Sequence, residues 1–247
     1  VTQRAAPGGP RRRGAGWWLM ALASALGVVV LCALGVWQVQ RLHWKTDLIA
    51  RVEARLAAPP APAPGPGDWL GLTAKDDEYR RVAVTGRYDF AAEELAQAVT
   101  AQGPGFWVMT PLETSQGWAV WINRGFVPMD RREAADRARP DGTVEVTGLL
   151  RMTQPDGAFL RKNDPQAGRW YSRDVAALSA QHGIAQAAPY FIDAEAGEVA
   201  GALPVGGLTV VSFRNTHLSY ALTWFAMATG LAAASVFALR RDGRDEP

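Results

Sequence analysis

Two transmembrane helices, one near each end, flanking a mainly antiparallel β domain with minor helices: this is the architecture expected of the 247-residue chain. Three observations lead to it. Gly14–Gln40 holds no charged residue, and neither does Leu218–Leu239. Each run reaches the ~20 apolar residues needed to cross a ~30 Å hydrocarbon layer. Between them the apolar residues alternate with period two, as strands with one buried face do. The whole-chain averages, 48% apolar and 20% charged, hide this division because the apolar residues concentrate at the ends.

The elements follow in order. Residues 1–16 form a tail carrying Arg4 and Arg11 to Arg13, and residues 17–40 form the first span. That span is too long for a signal-peptide core, and no small-x-small cleavage site follows Gln40, so it reads as a retained anchor. Residues 41–58 continue it as a helical extension, with Leu42, Ile49, Val52 and Leu56 at roughly helical spacing until Pro59. Residues 59–67 are a low-complexity Pro-rich stretch that reads as an extended linker.

Residues 68–216 should form the β-rich domain. Strands are expected over Tyr79–Tyr88, where Val82, Val84 and Tyr88 oppose Arg81, Thr85 and Arg87. Phe106–Leu112 and Trp118–Val127 form a further pair, joined as a hairpin through Glu113–Gly117. Val144–Arg151, Tyr190–Asp193 and Thr209–Phe213 complete the strand set, with helices expected over Asp130–Arg139 and Arg173–His182. Barrel and sandwich both suit this pattern. Residues 217–239 form the second span and residues 240–247 a tail with Arg240, Arg241 and Arg244. Those arginines place both tails in the cytoplasm and the domain outside, by the positive-inside rule. The expected location is a bacterial inner (plasma) membrane with a periplasmic domain.

Several chemistries are excluded. The single cysteine, Cys32, lies mid-span, so neither an internal disulfide nor a CxxC thiol pair exists. A net charge of +2, explained by the cytoplasmic flanks, asks for no nucleic acid. No glycine-rich phosphate loop, HExxH or GxSxG is present. Asp76-Asp77-Glu78 reads as a solvated turn and Asn163-Asp164-Pro165 as turn chemistry. Asn123-Arg124-Gly125 interrupts a strand and suits either a binding spot or a bulge.

Histidine is the informative residue. His182 ends a short helix, where a structural role suffices. His43 and His217 both fall at the outer membrane boundary, where a neutral imidazole can be an interfacial residue or ligate a metal or haem iron. Below His217, the residues Ala221, Trp224, Ala228, Ala232 and Ser235 share a helical face. The first span offers Ser24, Gly27, Leu31 and Gly35 at matching spacing, so helix packing or a flat apolar ligand would both suit this face.

Five blocks carry a resemblance. Gly35-x-Trp37-Gln38-x-x-Arg41-x-x-Trp44-Lys45 and Tyr79-Arg80-Arg81-Val82 come first. Asn123-Arg124-Gly125-Phe126-Val127-Pro128, Pro189 to Ala194 and Asn215 to Phe225 follow in the same order. Together they resemble the Surfeit locus protein 1 family of cytochrome c oxidase assembly factors. Phe126 stands where the family has Trp, and Thr216 where a second Asn is common. The resemblance implies a non-enzymatic role in building haem-copper oxidases. The chain would bind haem a at the outer membrane boundary and assist its insertion into the catalytic subunit. It implies partners in that subunit and the haem a synthesis machinery, besides membrane lipid. The family's haem-associated histidine matches His217, the expected axial ligand to iron, with Tyr220 and Trp224 as ring or propionate neighbours. His43 falls at a variable place and inherits no ligand role. The competing expectation is a cofactor-free scaffold stabilising an oxidase assembly intermediate. A haem-modifying oxygenase has too few candidate ligands.

Overall fold

A computed structural model describes residues 14–158, 160–197, 202–209, 211 and 213–242. The chain divides into two compact units, residues 1–50 with 212–247, and residues 51–211.

The first unit is a helix pair. Helix α1 spans Ala15–Ala57, its last turns belonging to the second unit, and α4 spans His217–Asp242. Both are long and apolar enough to cross a membrane, and the chain is a two-span membrane protein. At 43 residues α1 is about 65 Å long. The expected span and its extension are one helix without a break. Large apolar side chains such as Leu19, Leu22, Leu26, Val29, Leu222 and Phe237 point outward, as they would toward lipid. Small residues face the partner helix. Ala221 and Ala228 are 2% and 4% exposed. A Cβ on Gly35 would stand 2.6 Å from the Phe225 ring, and one on Gly27 2.9 Å from Leu231. The close approach of the backbones is what holds such a pair together where lipid removes the hydrophobic drive. Thr223, Thr229 and Ser235 donate their hydroxyl protons to carbonyls one turn back, so they add no unpaired polar group to the span.

The second unit is built on seven strands: β1 Ala61–Pro62, β2 Arg81–Tyr88, β3 Glu94–Thr100, β4 Gly103–Thr114, β5 Ala119–Pro128, β6 Val144–Met152 and β7 Ala187–Ala194. They run in the order β1-β2-β6-β7-β5-β4-β3, and a further β2–β4 pairing joins the sheet to itself. The five strands β2, β6, β7, β5 and β4 therefore close a barrel. Val82, Val84, Leu112, Val120, Ile122, Val146, Leu150, Tyr190 and Ile192 fill it, alternate residues of the strands as a pleated wall requires. The opposite faces of β4, β5 and β7 carry a second core. There Met109, Trp121 and Phe191 pack with Ala96, Trp170 and the short helix α3, Val175–Gln181. Strand β5 is buried on both faces. A four-residue helix, α2 (Ala74–Asp77), receives the Arg55 guanidinium on the Lys75 carbonyl, and the Glu78 carbonyl just beyond it accepts a second bond.

Three expectations are corrected here. The Pro-rich residues 59–67 are not a free spacer. Ala61 and Pro62 pair in parallel with Val82 and Ala83, and the Pro64 carbonyl accepts from Trp69 Nε1 and the Tyr190 hydroxyl. Asp130–Arg139 forms two separate 3-10 turns, Met129–Arg131 and Ala134–Asp136, rather than a helix. Their apolar content is too low to bury a helical face. Thr209–Phe213 shows no strand at residues 209, 211 and 213, and residues 210 and 212 lie outside the described set. The sheet is mainly antiparallel, as expected, with β5–β7 and β1–β2 as its parallel pairings.

Candidate functional site

Helix α4 begins at His217 itself. Across the pair, α1 presents Gln38, the one polar side chain of this unit that is buried, among the described residues. Its amide oxygen lies 2.8 Å from His217 Nδ1. An amide oxygen only accepts, so Nδ1 carries the proton and donates it. In the neutral ring the lone pair is then on the other nitrogen, Nε2, which has no hydrogen-bond partner among the described residues. This is the arrangement that readies an imidazole to bind a metal: one nitrogen fixed by an acceptor, the other open.

Of the other expected site residues, Tyr220 is 55% exposed. Trp224, half-buried, stands one turn further along the same face. His43 is exposed and touches none of these residues through a hydrogen bond. Gln38 is the residue that sequence reasoning passed over. It was quoted within a motif, but its signal was physical: an amide inside an uncharged span must find a partner.

The second unit uses its polar residues internally. His182 Nε2 lies 3.0 Å from Glu94 Oε1, beside the Trp121 ring, a structural contact. Asn123-Arg124-Gly125 forms a bulge in β5 opposite Val108 and Met109. Asn123 Nδ2 donates to Asp193 across 2.7 Å, and its Oδ1 accepts the Gly125 amide proton. Gly125 has φ 134°, and a Cβ there would meet the Val205 carbonyl oxygen at 2.3 Å. Arg124 pairs with buried Glu93, which also takes Arg137. Asp193 accepts from Arg151, Arg173 and Thr209 as well as Asn123. Burial lowers the Arg173 guanidinium below its ordinary range, against the pull of Asp193. No cluster of metal-ligating side chains occurs among the described residues.

The fold and the helix-pair site define a class: two-span membrane proteins with a β barrel between the spans in sequence and one buried amide–imidazole contact between the spans. The profile of the SURF1 family matches residues 25–229. Surfeit locus protein 1 of Mus musculus is 36% identical over 240 residues, covering 90% of this chain and 73% of that protein. Surfeit locus protein 1 of Homo sapiens is 35% identical over 228 residues, 85% and 72% of the two chains. A SURF1-like protein of Monosiga brevicollis is 34% identical over 250 residues, 94% and 91%. The chain belongs to the SURF1 family.

Proposed function

We propose that this chain is a non-enzymatic assembly factor for haem-copper cytochrome c oxidase, holding haem a through His217 and assisting its insertion into the catalytic subunit. The observation that carries the reading is the Gln38–His217 bond, which engages Nδ1 and leaves Nε2 without a hydrogen-bond partner among the described residues. The residues present fit the group: an imidazole nitrogen at the end of a span, with the exposed ring of Tyr220 and the half-buried ring of Trp224 below it. Bound haem would supply an iron that takes an imidazole nitrogen. His217 would hold that iron, Gln38 would hold the imidazole proton at Nδ1, and the two aromatic rings would exclude water from one side. A single protein nitrogen suits a holder that must also release. The partners in this reading are the catalytic subunit and the haem a synthesis machinery. The compartment is a bacterial plasma membrane with the barrel outside, supported by Arg240 and Arg241 in the last turn of α4.

The scaffold reading has its own support, because Phe225 on Gly35 and Leu231 on Gly27 explain the small-residue face without any ligand. One experiment separates the two. The detergent-purified chain, made where haem a is abundant, should absorb in the visible, and His217→Ala should lose most of that absorbance while His43→Ala keeps it. A colourless wild type would favour the scaffold. Loss in His43→Ala alone would name the wrong histidine.

A further inference from the structure

The helix pair has two grooves, and the contacts already described tell them apart. At ~100° per residue, Gly35 lies ~60° to one side of Gln38 on α1. Arg41 lies ~60° to the other side, and Trp37 ~100° to that same side. On α4, measured from buried Ala221, Phe225 lies ~40° to one side, while Trp224 and Tyr220 lie ~60° and ~100° to the other. The Phe225 ring sits on Gly35, so those two flanks meet and fill the first groove. The opposite flanks must border the second: Trp37 and Arg41 from α1, Trp224 and Tyr220 from α4. Leu231, also on the Trp224 side, rests against Gly27 and closes this second groove lower down. His43 lies ~140° round α1 from Gln38, outside it.

Arg41 is exposed and its guanidinium lies 4.8 Å from the centre of the Trp44 ring. It makes no ion pair with a carboxylate among the described residues. It stands ~4.5 Å further out along α1 than Gln38, the residue that meets His217. We propose that Arg41 anchors an acidic group of the ligand, so that the groove takes a flat apolar ring system bearing a peripheral carboxylate. This rests on the reading of His217 as the iron ligand. The guanidinium fork suits a carboxylate, and stacking on Trp44 holds it in place. A lipid phosphate would satisfy the same chemistry, and the test must separate these sources.

The test uses the full chain in detergent and two probes, iron protoporphyrin IX and its dimethyl ester, titrated by the Soret band. Wild type should prefer the free acid by about tenfold. Arg41→Gln should abolish that preference while leaving the bound spectrum, which reports the His217 ligand, unchanged. Arg41→Lys should retain part of the preference. Co-purified phospholipid phosphorus is measured on the same samples. An unchanged acid-to-ester ratio in Arg41→Gln overturns the proposal, and a simultaneous drop in phosphorus assigns Arg41 to a lipid headgroup. If wild type binds neither probe, the His217 reading and this one both fall. If His217→Ala abolishes binding but Arg41→Gln leaves the preference intact, only this one falls.

Discussion

Tyr190 donates its hydroxyl proton to the carbonyl oxygen of Pro64 across 2.7 Å, and the tyrosine is wholly buried in the barrel. A residue of the β core thus holds a segment whose composition suggested only a spacer. Tyr190→Phe should destabilise the chain by about 0.5–1.5 kcal/mol, the net worth of one such bond. Removing two residues from 59–67 should cost more, because β1 would lose its register with β2. Thermal unfolding in detergent checks both. Deletions tolerated without any fall in Tm would return the segment to the role of spacer.

Gln38→Leu keeps the shape of the side chain and removes the acceptor for Nδ1–H. On the proposed function, haem affinity should fall by roughly 10–100-fold, the usual effect of losing the group that orients a ligating histidine. Gln38→Glu keeps an acceptor and should retain more affinity than Gln38→Leu. Equal affinity in wild type and Gln38→Leu would show that the ring needs no such support.

Gly35→Leu should separate the helices. Even the first added carbon would lie 2.6 Å from the Phe225 ring, and an overpacked contact commonly costs about 1–3 kcal/mol. Phe225→Ala in the same chain should recover part of that loss, since it empties the space the new side chain needs. A double mutant no better than Gly35→Leu alone would mean that some other contact is responsible.

Burial pushes the Tyr88 hydroxyl up to about 12, and burial also raises Tyr190. An acid raised in the fold is favoured there in its neutral form. Its stabilisation is therefore complete below the ordinary tyrosine value of ~10. It fades as pH rises from there toward 12, because the unfolded chain releases its proton first. Chemical unfolding between pH 9 and 12 should show stability falling across that window, with a shallower slope in Tyr88→Phe. A slope identical in the variant would remove Tyr88 as a source.

The two spans were legible because a run without charge has one cheap solution in lipid. Strands β2, β4 and β6 were legible because one face of each is apolar, and β5 because its aromatic and β-branched run is apolar on both. Strand β3 was not: Glu94, Gln97 and Thr100 interrupt its pattern, and it owes its place to pairing with β4. Nor was β1, where Ala and Pro carry no strand signal and pairing with Val82 and Ala83 makes the strand. Closure into a barrel depends on three residue pairs between Gly86–Tyr88 and Leu112–Thr114, a long-range match with no local signature. Within the candidate site, position and motif single out His217, Tyr220 and Trp224 as the residues to test. Gln38 could not be given a role, because which residue of α1 faces His217 depends on how the two helices are rotated.

The ring of five strands also limits how this protein can meet others. Strand β2 spends one edge on β6 and divides the other between β1 and β4, while β4 divides its second edge between β3 and β2. Even the outer edge of β3 gives the Gln97 amide proton to the Trp170 carbonyl. Within the ring itself little backbone is left free to recruit a foreign strand, the usual route to non-specific association. Recognition by the barrel must therefore be written in side chains, and it can diverge between relatives without disturbing the ladder beneath.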